Sequence, residues 1–153
     1  MTTTIDPPTI ENALREAEIC ALIDERIQAV HVRDVHTAMA HTAHEITSFD
    51  VVNPLQSVGS EAARDRAEQW FSSFQSPIGY EVRDLSITAG EDVAFSHYLY
   101  RVSGTQEGGR DIDMWVRSTI CYRKQGGKWH VVHEHNSVPF DPSTGMASLT
   151  IRP

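Results

Sequence analysis

The stretch GKWHVVHEHNSVPFDP, residues 127–142, sets His130, His133, Glu134 and His135 within six positions of a segment whose other residues are typical of a β-strand. Imidazole titrates near neutrality and also ligates metals, so a cluster of this kind suits proton transfer or metal binding. Strand alternation divides the set. Trp129, Val131, His133, His135 and Ser137 share one face, and His130, Val132, Glu134 and Asn136 share the other. An indole followed by a branched apolar residue suits a core floor, so the first face is expected to point inward, with the Cα atoms of His133 and His135 about 6.6 Å apart. The same pair has the spacing of a two-histidine metal clamp, which His97 or Asp50 could complete.

Neighbouring segments carry further candidates. DMWVRSTICY groups Trp115, Arg117, Thr119 and Cys121 against Met114, Val116, Ser118 and Ile120, and alternation alone leaves open which group faces inward. In VAFSHYLY, His97 shares a face with Val93, Phe95 and Leu99 and is placed inward; Tyr98 and Tyr100, on the opposite face with Ala94 and Ser96, are assigned to a partner subunit, where amphipathic aromatics are enriched. Each histidine also has an ordinary reading as a hydrogen-bonded core or interface residue. Three of them beside an arginine make that reading weaker, because so much buried polarity is costly unless it is paired or wetted. HTAHE, with His41, His44 and Glu45, reverses the order of the zinc-protease motif and falls at an expected helix end, where histidines complement the helix dipole.

The elements that must position these residues follow from periodicity. ENALREAEICALIDERIQAV repeats apolar residues near the helical period, and RDVHTAMAHTAHE gives a second, shorter helix. EITSFDVVNP reads as a strand ending at Asn53-Pro54, and SVGSEAARDRAEQWFSSF as a third helix with Ser60 at its N-cap. Trp70 and Phe74 lie on its apolar stripe, as core or as pocket lining. YEVRDLSIT, DVAFSHYLYRVSG, RDIDMWVRSTICYRK and KWHVVHEHNSV then form a meander of four strands joined by glycine-bearing turns. The expected organisation is a lead over 1–9, one domain over 10–142 and a C-terminal extension over 143–153.

Composition excludes some classes of function. A net charge of −8 without a Lys/Arg cluster argues against nucleic acid and against anionic membranes as partners. No apolar run is long enough to span a bilayer, the N-terminus lacks a signal-peptide pattern, and Cys20 and Cys121 read as isolated apolar thiols; a cytoplasmic location is expected. A chain of 153 residues can bury a core without disulfides or metal, so neither is expected to be needed for folding.

Helix, helix, strand, helix and four strands, together with DVAFSHYLYRVSGT, MWVRSTICYRK and GKWHVVHEHNSVPFD, resemble the SnoaL-like and ketosteroid-isomerase-homologue proteins of the nuclear transport factor 2-like superfamily. The resemblance covers about residues 10–142 and implies an α+β cone: a curved antiparallel sheet with three helices from the N-terminal half on its concave face. It implies a mouth that takes a small, often apolar ligand, with Arg117 and Thr119 inside and no cofactor. FDVVNPLQSVGSEAARD resembles the ketosteroid-isomerase segment that supplies an aspartate general base, which assigns that role to Asp50, although two valines and an asparagine separate it from Pro54 and no early helix carries the phenolic donor of those enzymes. The candidate catalytic set is thus Asp50, His97, Arg117, His133 and His135. The candidate ligand-binding set is Trp70, Phe74, Trp115, Thr119 and Ser137, with no metal. The expected function is acid–base isomerase, cyclase or hydrolase chemistry on a small, partly apolar carbonyl compound, in a homodimer paired through the outer sheet face. The alternative is a non-catalytic ligand-binding or assembly domain of the same fold.

Overall fold

Thr9 opens the first helix in the computed structural model, which describes residues 9–153; the rest of the expected lead lies outside the described residues. Its Oγ1 accepts a hydrogen bond from the Asn12 backbone N–H at 3.2 Å, satisfying one of the free donors of the first turn. Helix α1 (Ile10–His31) buries Ile19, Ile23, Ala29 and Val30. Helix α2 is only Val35–Ala38, capped by Asp34 through the Thr37 N–H and hydroxyl. The longer helix expected there is cut short because strand β1 (Thr42–Phe49) begins early, so His44 and Glu45 belong to a strand. Sheet pairing of its β-branched residues outweighs the helical spacing of the alanines.

A two-residue strand β2 (Ser57–Val58) returns antiparallel on β1, and helix α3 (Ser60–Ser72) follows with Gly59 as its N-cap, one residue before the expected cap. Strands β3 (Gly79–Ala89), β4 (Val93–Gln106), β5 (Arg110–Gln125) and β6 (Lys128–Ser137) form the expected antiparallel meander. β6 also pairs with β1 in parallel, which makes one mixed sheet ordered β2-β1-β6-β5-β4-β3. The architecture is the expected α+β cone. Two apolar clusters join helices to sheet: Ile19 and Ile23 meet Ile120, Tyr122, Trp129 and Val131, while Val30, Phe71 and Phe74 meet Ile78 and Val102. No described helix is long and apolar enough to cross a membrane.

The decisive local feature lies between β5 and β6. Cys121 pairs with His133 but the next residue, Tyr122, pairs with Val131, so β6 carries one extra residue, Val132. A bulge of this kind reverses the facing of every residue beyond it. Trp129 and Val131 are buried on the helix side, as expected; after the bulge Asn136 is buried and His135 exposed. On β4 and β5 the inward residues are Ser96, Tyr98, Val102, Val116, Ser118 and Ile120, which leaves His97, Arg117 and Thr119 on the outer face.

Deleting Val132 should therefore remove the bulge without changing the facing, because His133 then follows Val131 directly and Trp129, Val131, Glu134 and Asn136 still alternate onto the inner face. A cooperative thermal transition by circular dichroism is expected to survive the deletion; its loss would show that Val132 is not the extra residue that sets the facing.

Candidate functional site

Between the helices and the concave face of the sheet lies a cavity of about 910 Å³. Its wall is built from the inward residues of every major element, and two ion pairs stand in it. Arg26 of α1 donates from Nη1 and Nη2 to Oε2 and Oε1 of Glu134 on β6, at 3.0 and 2.9 Å. Arg66 of α3 donates from Nη2 to Oδ2 of Asp50 at 2.6 Å and from Nη1 to the Asn53 carbonyl at 3.2 Å. The other Asp50 oxygen accepts the Val51 N–H at 2.7 Å. Asp50 thus stands where β1 ends, facing the cavity with its carboxylate oriented by a helix and a loop.

The deeper pair is set in the protein but not sealed. Arg26 keeps 30% and Glu134 16% of their side-chain surface, and both line the cavity. Burial alone would raise the Glu134 carboxyl; the Arg26 charge, its hydrogen bonds and one from Asn136 Nδ2 at 2.8 Å outweigh it and hold the group below the usual carboxylate range. Arg26 is correspondingly held well above its ordinary value by the Glu134 charge. Tyr80 and Tyr100 stack nearby with ring centroids 4.8 Å apart, and burial pushes both phenols well above the ordinary tyrosine value, so both keep their protons. Trp70 and Phe71 line the wall from α3. Among the described residues two buried oxygens in this region lack a hydrogen-bond partner, Asn136 Oδ1 and Ser118 Oγ, on residues directly opposite each other across β5 and β6.

The segment after β6 also contributes. It folds back on itself, with Phe140 bridged to Ala147 and the Ser148 N–H on the Pro139 carbonyl at 2.7 Å. Ala147, Leu149 and Thr150 then line the cavity, and Arg152 pairs with Asp113 at 3.2 Å beside the cavity's Asp111.

Of the residues singled out in the sequence, Asp50 and Trp70 line the cavity. Phe74 does not: it is buried in the core beyond α3, edge-on to Trp70 at 5.5 Å. His97, Arg117, His133, His135, Trp115, Thr119 and Ser137 are brought together, but on the outer face of the sheet. Thr119 sits between His97 and His135, and Arg117 Nε donates to Ser137 Oγ at 3.1 Å. There, His133 Nδ1 donates to the Thr47 carbonyl at 2.7 Å, and Phe49 meets both His133 and His135 edge-on. The inward placement of these residues is overturned by the Val132 bulge on β6 and by the burial of the opposite group on β4 and β5. Tyr98 and Tyr100, expected at a partner subunit, instead face inward. Among the described residues no three His, Cys, Asp or Glu side chains gather as a metal site.

Arg26, Arg66, Glu134, Asn136, Tyr80 and Tyr100 are the cavity residues that sequence reading missed. The two arginines were detectable: Arg26 follows Ile23 by three and precedes Val30 by four, and Arg66 stands in the same relation to Ala63 and Trp70. A charge inside an apolar stripe signals a buried partner.

The sign of the Glu134 shift gives a pH dependence. A carboxyl whose folded value is depressed contributes stability above its unfolded value and loses it as pH falls through the folded one. Glu134→Gln should therefore destabilise the protein at neutral pH and flatten the acid limb of a melting-temperature profile; parallel profiles would contradict the shift. Ser118→Ala, which removes an unpartnered hydroxyl, should change stability by less than about 1 kcal/mol in chemical denaturation.

Comparison with known proteins agrees with this geometry. Residues 19–141 match the SnoaL-like domain family model. A solved NTF2-like protein of unknown function from Pseudomonas putida KT2440 is 34% identical, with a TM-score of 0.85 over 92% of this chain and 98% of that one. An NTF2-like superfamily protein from Salmonella enterica serovar Typhimurium (13% identity, TM-score 0.75, 89% and 99% covered) and a ketosteroid isomerase-like protein from Erwinia carotovora atroseptica (18%, 0.68, 80% and 95%) share the fold. No curated protein matches the chain. With a family match over most of its length and a cone whose helices and sheet enclose a cavity, this chain belongs to the SnoaL-like domain family of the NTF2-like fold.

Proposed function

We propose that the protein is a cofactor-independent acid–base catalyst acting on a small, partly apolar carbonyl compound, with Asp50 as the base that removes a proton next to the carbonyl. The observation that carries this reading is a carboxylate facing a largely apolar cavity and held in one orientation by Arg66 and the Val51 N–H. A positioned base of this kind contributes roughly 10²–10⁴-fold to a proton transfer. The ionised Glu134 of the other pair serves as an anchor, because its carboxylate is committed to Arg26 and Asn136. A binding-only role for the same cavity is favoured by one fact, that both Asp50 oxygens already accept hydrogen bonds.

The functional unit on this reading is a homodimer formed through the outer sheet face, where Val93 and Phe95 are 55% and 45% exposed beside the histidine and arginine group. Exposed apolar surface of this extent on a regular sheet suits a second copy of the same face. The two free thiols, Cys20 and Cys121, suit a reducing cytoplasmic compartment.

Hydrogen–deuterium exchange at the α-carbon of β-tetralone, followed by NMR in deuterated buffer, tests the chemistry. Acceleration over buffer is expected, with a loss of about 100-fold or more in a folded Asp50→Asn variant; equal exchange by both proteins would remove Asp50 as the base, and binding without exchange would favour the binding-only role. Light scattering at micromolar concentration should give twice the chain mass for the wild type and the chain mass for Phe95→Asp. A monomeric wild type would contradict the dimer.

A further inference from the structure

The Arg26–Glu134 pair offers more than stability. A guanidinium carries five N–H donors, and the bidentate contact with Glu134 uses two of them. No other acceptor among the described residues takes the remaining three, although Arg26 lines the cavity. The fork is also held still: Glu134 Oε1 accepts both Arg26 Nη2 and Asn136 Nδ2, so the carboxylate that orients the guanidinium is itself oriented. Unspent donors on a fixed cation in a partly apolar cavity are the arrangement that stabilises charge developing on an oxygen.

The electrostatic balance of the cavity narrows the ligand. Arg26 is neutralised by Glu134 and Arg66 by Asp50, and the remaining lining arginine, the exposed Arg110, is accompanied by the lining carboxylates Asp111 and Asp113, so the cavity holds no excess positive charge for a carboxylate or phosphate. A ligand anion would be desolvated without compensation. A neutral oxygen acceptor loses little solvation and gains a charge-assisted hydrogen bond. Arg66 is the poorer partner for that oxygen, since its donors are divided between Asp50 and the Asn53 carbonyl and it stands beside the base itself. Both pairs and Tyr100 line the same cavity.

We propose that Arg26 is the residue that binds the carbonyl oxygen of an uncharged ligand, with Glu134 as its positioning residue, and that the cavity selects neutral ketones over carboxylates of the same size. This rests on the acid–base reading for its catalytic consequence: as Asp50 takes the α-proton, the electron pair of the broken C–H bond becomes the new C=C bond, the carbonyl π pair moves onto oxygen, and Arg26 receives the charge. The binding claim stands without that step.

Three probes on one ring skeleton test it by calorimetry: β-tetralone, the oxygen-free tetralin and the tetralin carboxylate. The wild type should bind the ketone at least about tenfold more tightly than either of the others, which is about 1.4 kcal/mol. The infrared carbonyl stretch of bound β-tetralone should move to lower frequency than in buffer. Arg26→Met alone strands a buried carboxylate, so the informative variant is Arg26→Met with Glu134→Met, which replaces the pair by apolar side chains of similar length. In it the preference for ketone over tetralin should fall below threefold and the stretch shift should vanish. A measurement on the wild type alone avoids any folding question: the Arg26 guanidinium NMR signals should shift on adding β-tetralone and stay in place on adding tetralin. Equal binding of ketone and hydrocarbon, tighter binding of the carboxylate, no binding of any probe, or a stretch shift that survives in the double variant would each overturn the assignment. The two readings fail separately. Ketone bound at Arg26 without α-exchange defeats only the proton abstraction, whereas undiminished exchange in the double variant defeats only the role of Arg26.

Discussion

A half-buried guanidinium and a largely buried carboxylate, Arg26 and Glu134, meet through two parallel hydrogen bonds across the interior of the cone. Taking either charge out of water alone would cost several kcal/mol, so each residue requires the other. That requirement joins the C-terminal part of α1 to the last strand in sequence, residues separated by 108 positions in the chain. Apolar contacts bring the same helix and sheet together through Ile19, Ile23, Trp129 and Val131, but they are non-directional. The ion pair adds direction. Both residues line the cavity and keep part of their surface there.

Everything on the far half of β6 follows from the extra residue that lets Glu134 face inward. With Val132 accommodated as a bulge, the strand keeps its pairing to β5 on both sides while exchanging its faces. Trp129 and Val131 can then floor the core, and Glu134 and Asn136 can line the cavity, on one strand. The outer face receives His133 and His135 beside Phe49, opposite Thr119 and near His97. The histidine-rich stretch thus supplies two surfaces with different chemistry: a charged, tightly bonded one inside, and an imidazole and aromatic one outside.

The type and order of the elements were legible because each announces itself over many residues. The 22-residue α1, the four-strand meander and the stripe of α3 all carry patterns longer than one turn or one hairpin. Asp50 was placed at the cavity by the resemblance of FDVVNPLQSVGSEAARD to the ketosteroid-isomerase segment, and Trp70, read as core or pocket lining, by its place on a helix stripe. What failed was facing. A bulge has no local signature in HVVHE that distinguishes it from plain alternation, and its effect on every later residue is absolute. His97, Arg117 and Thr119 were misplaced on strands without bulges for a different reason: both faces of β4 and β5 carry apolar residues, so alternation had no contrast to read. Helix α2 was overextended because the pairing of β1 with β6, a contact distant in sequence, decided its end. Arg26 and Arg66 were the missed opportunity, since a charge in an apolar register is visible in sequence and both arginines proved to hold a carboxylate at the cavity.

The coupling of the pair can be measured directly with a double-mutant cycle on Arg26 and Glu134, using Arg26→Met, Glu134→Met and the combined variant in chemical denaturation. If the pair is the joint described here, each single variant costs about 3–5 kcal/mol, the combined variant recovers much of that loss, and the coupling energy is at least about 2 kcal/mol. Additive losses, with a coupling below about 0.5 kcal/mol, would mean that Arg26 and Glu134 do not meet in solution, and the inward facing of Glu134 would fall with them.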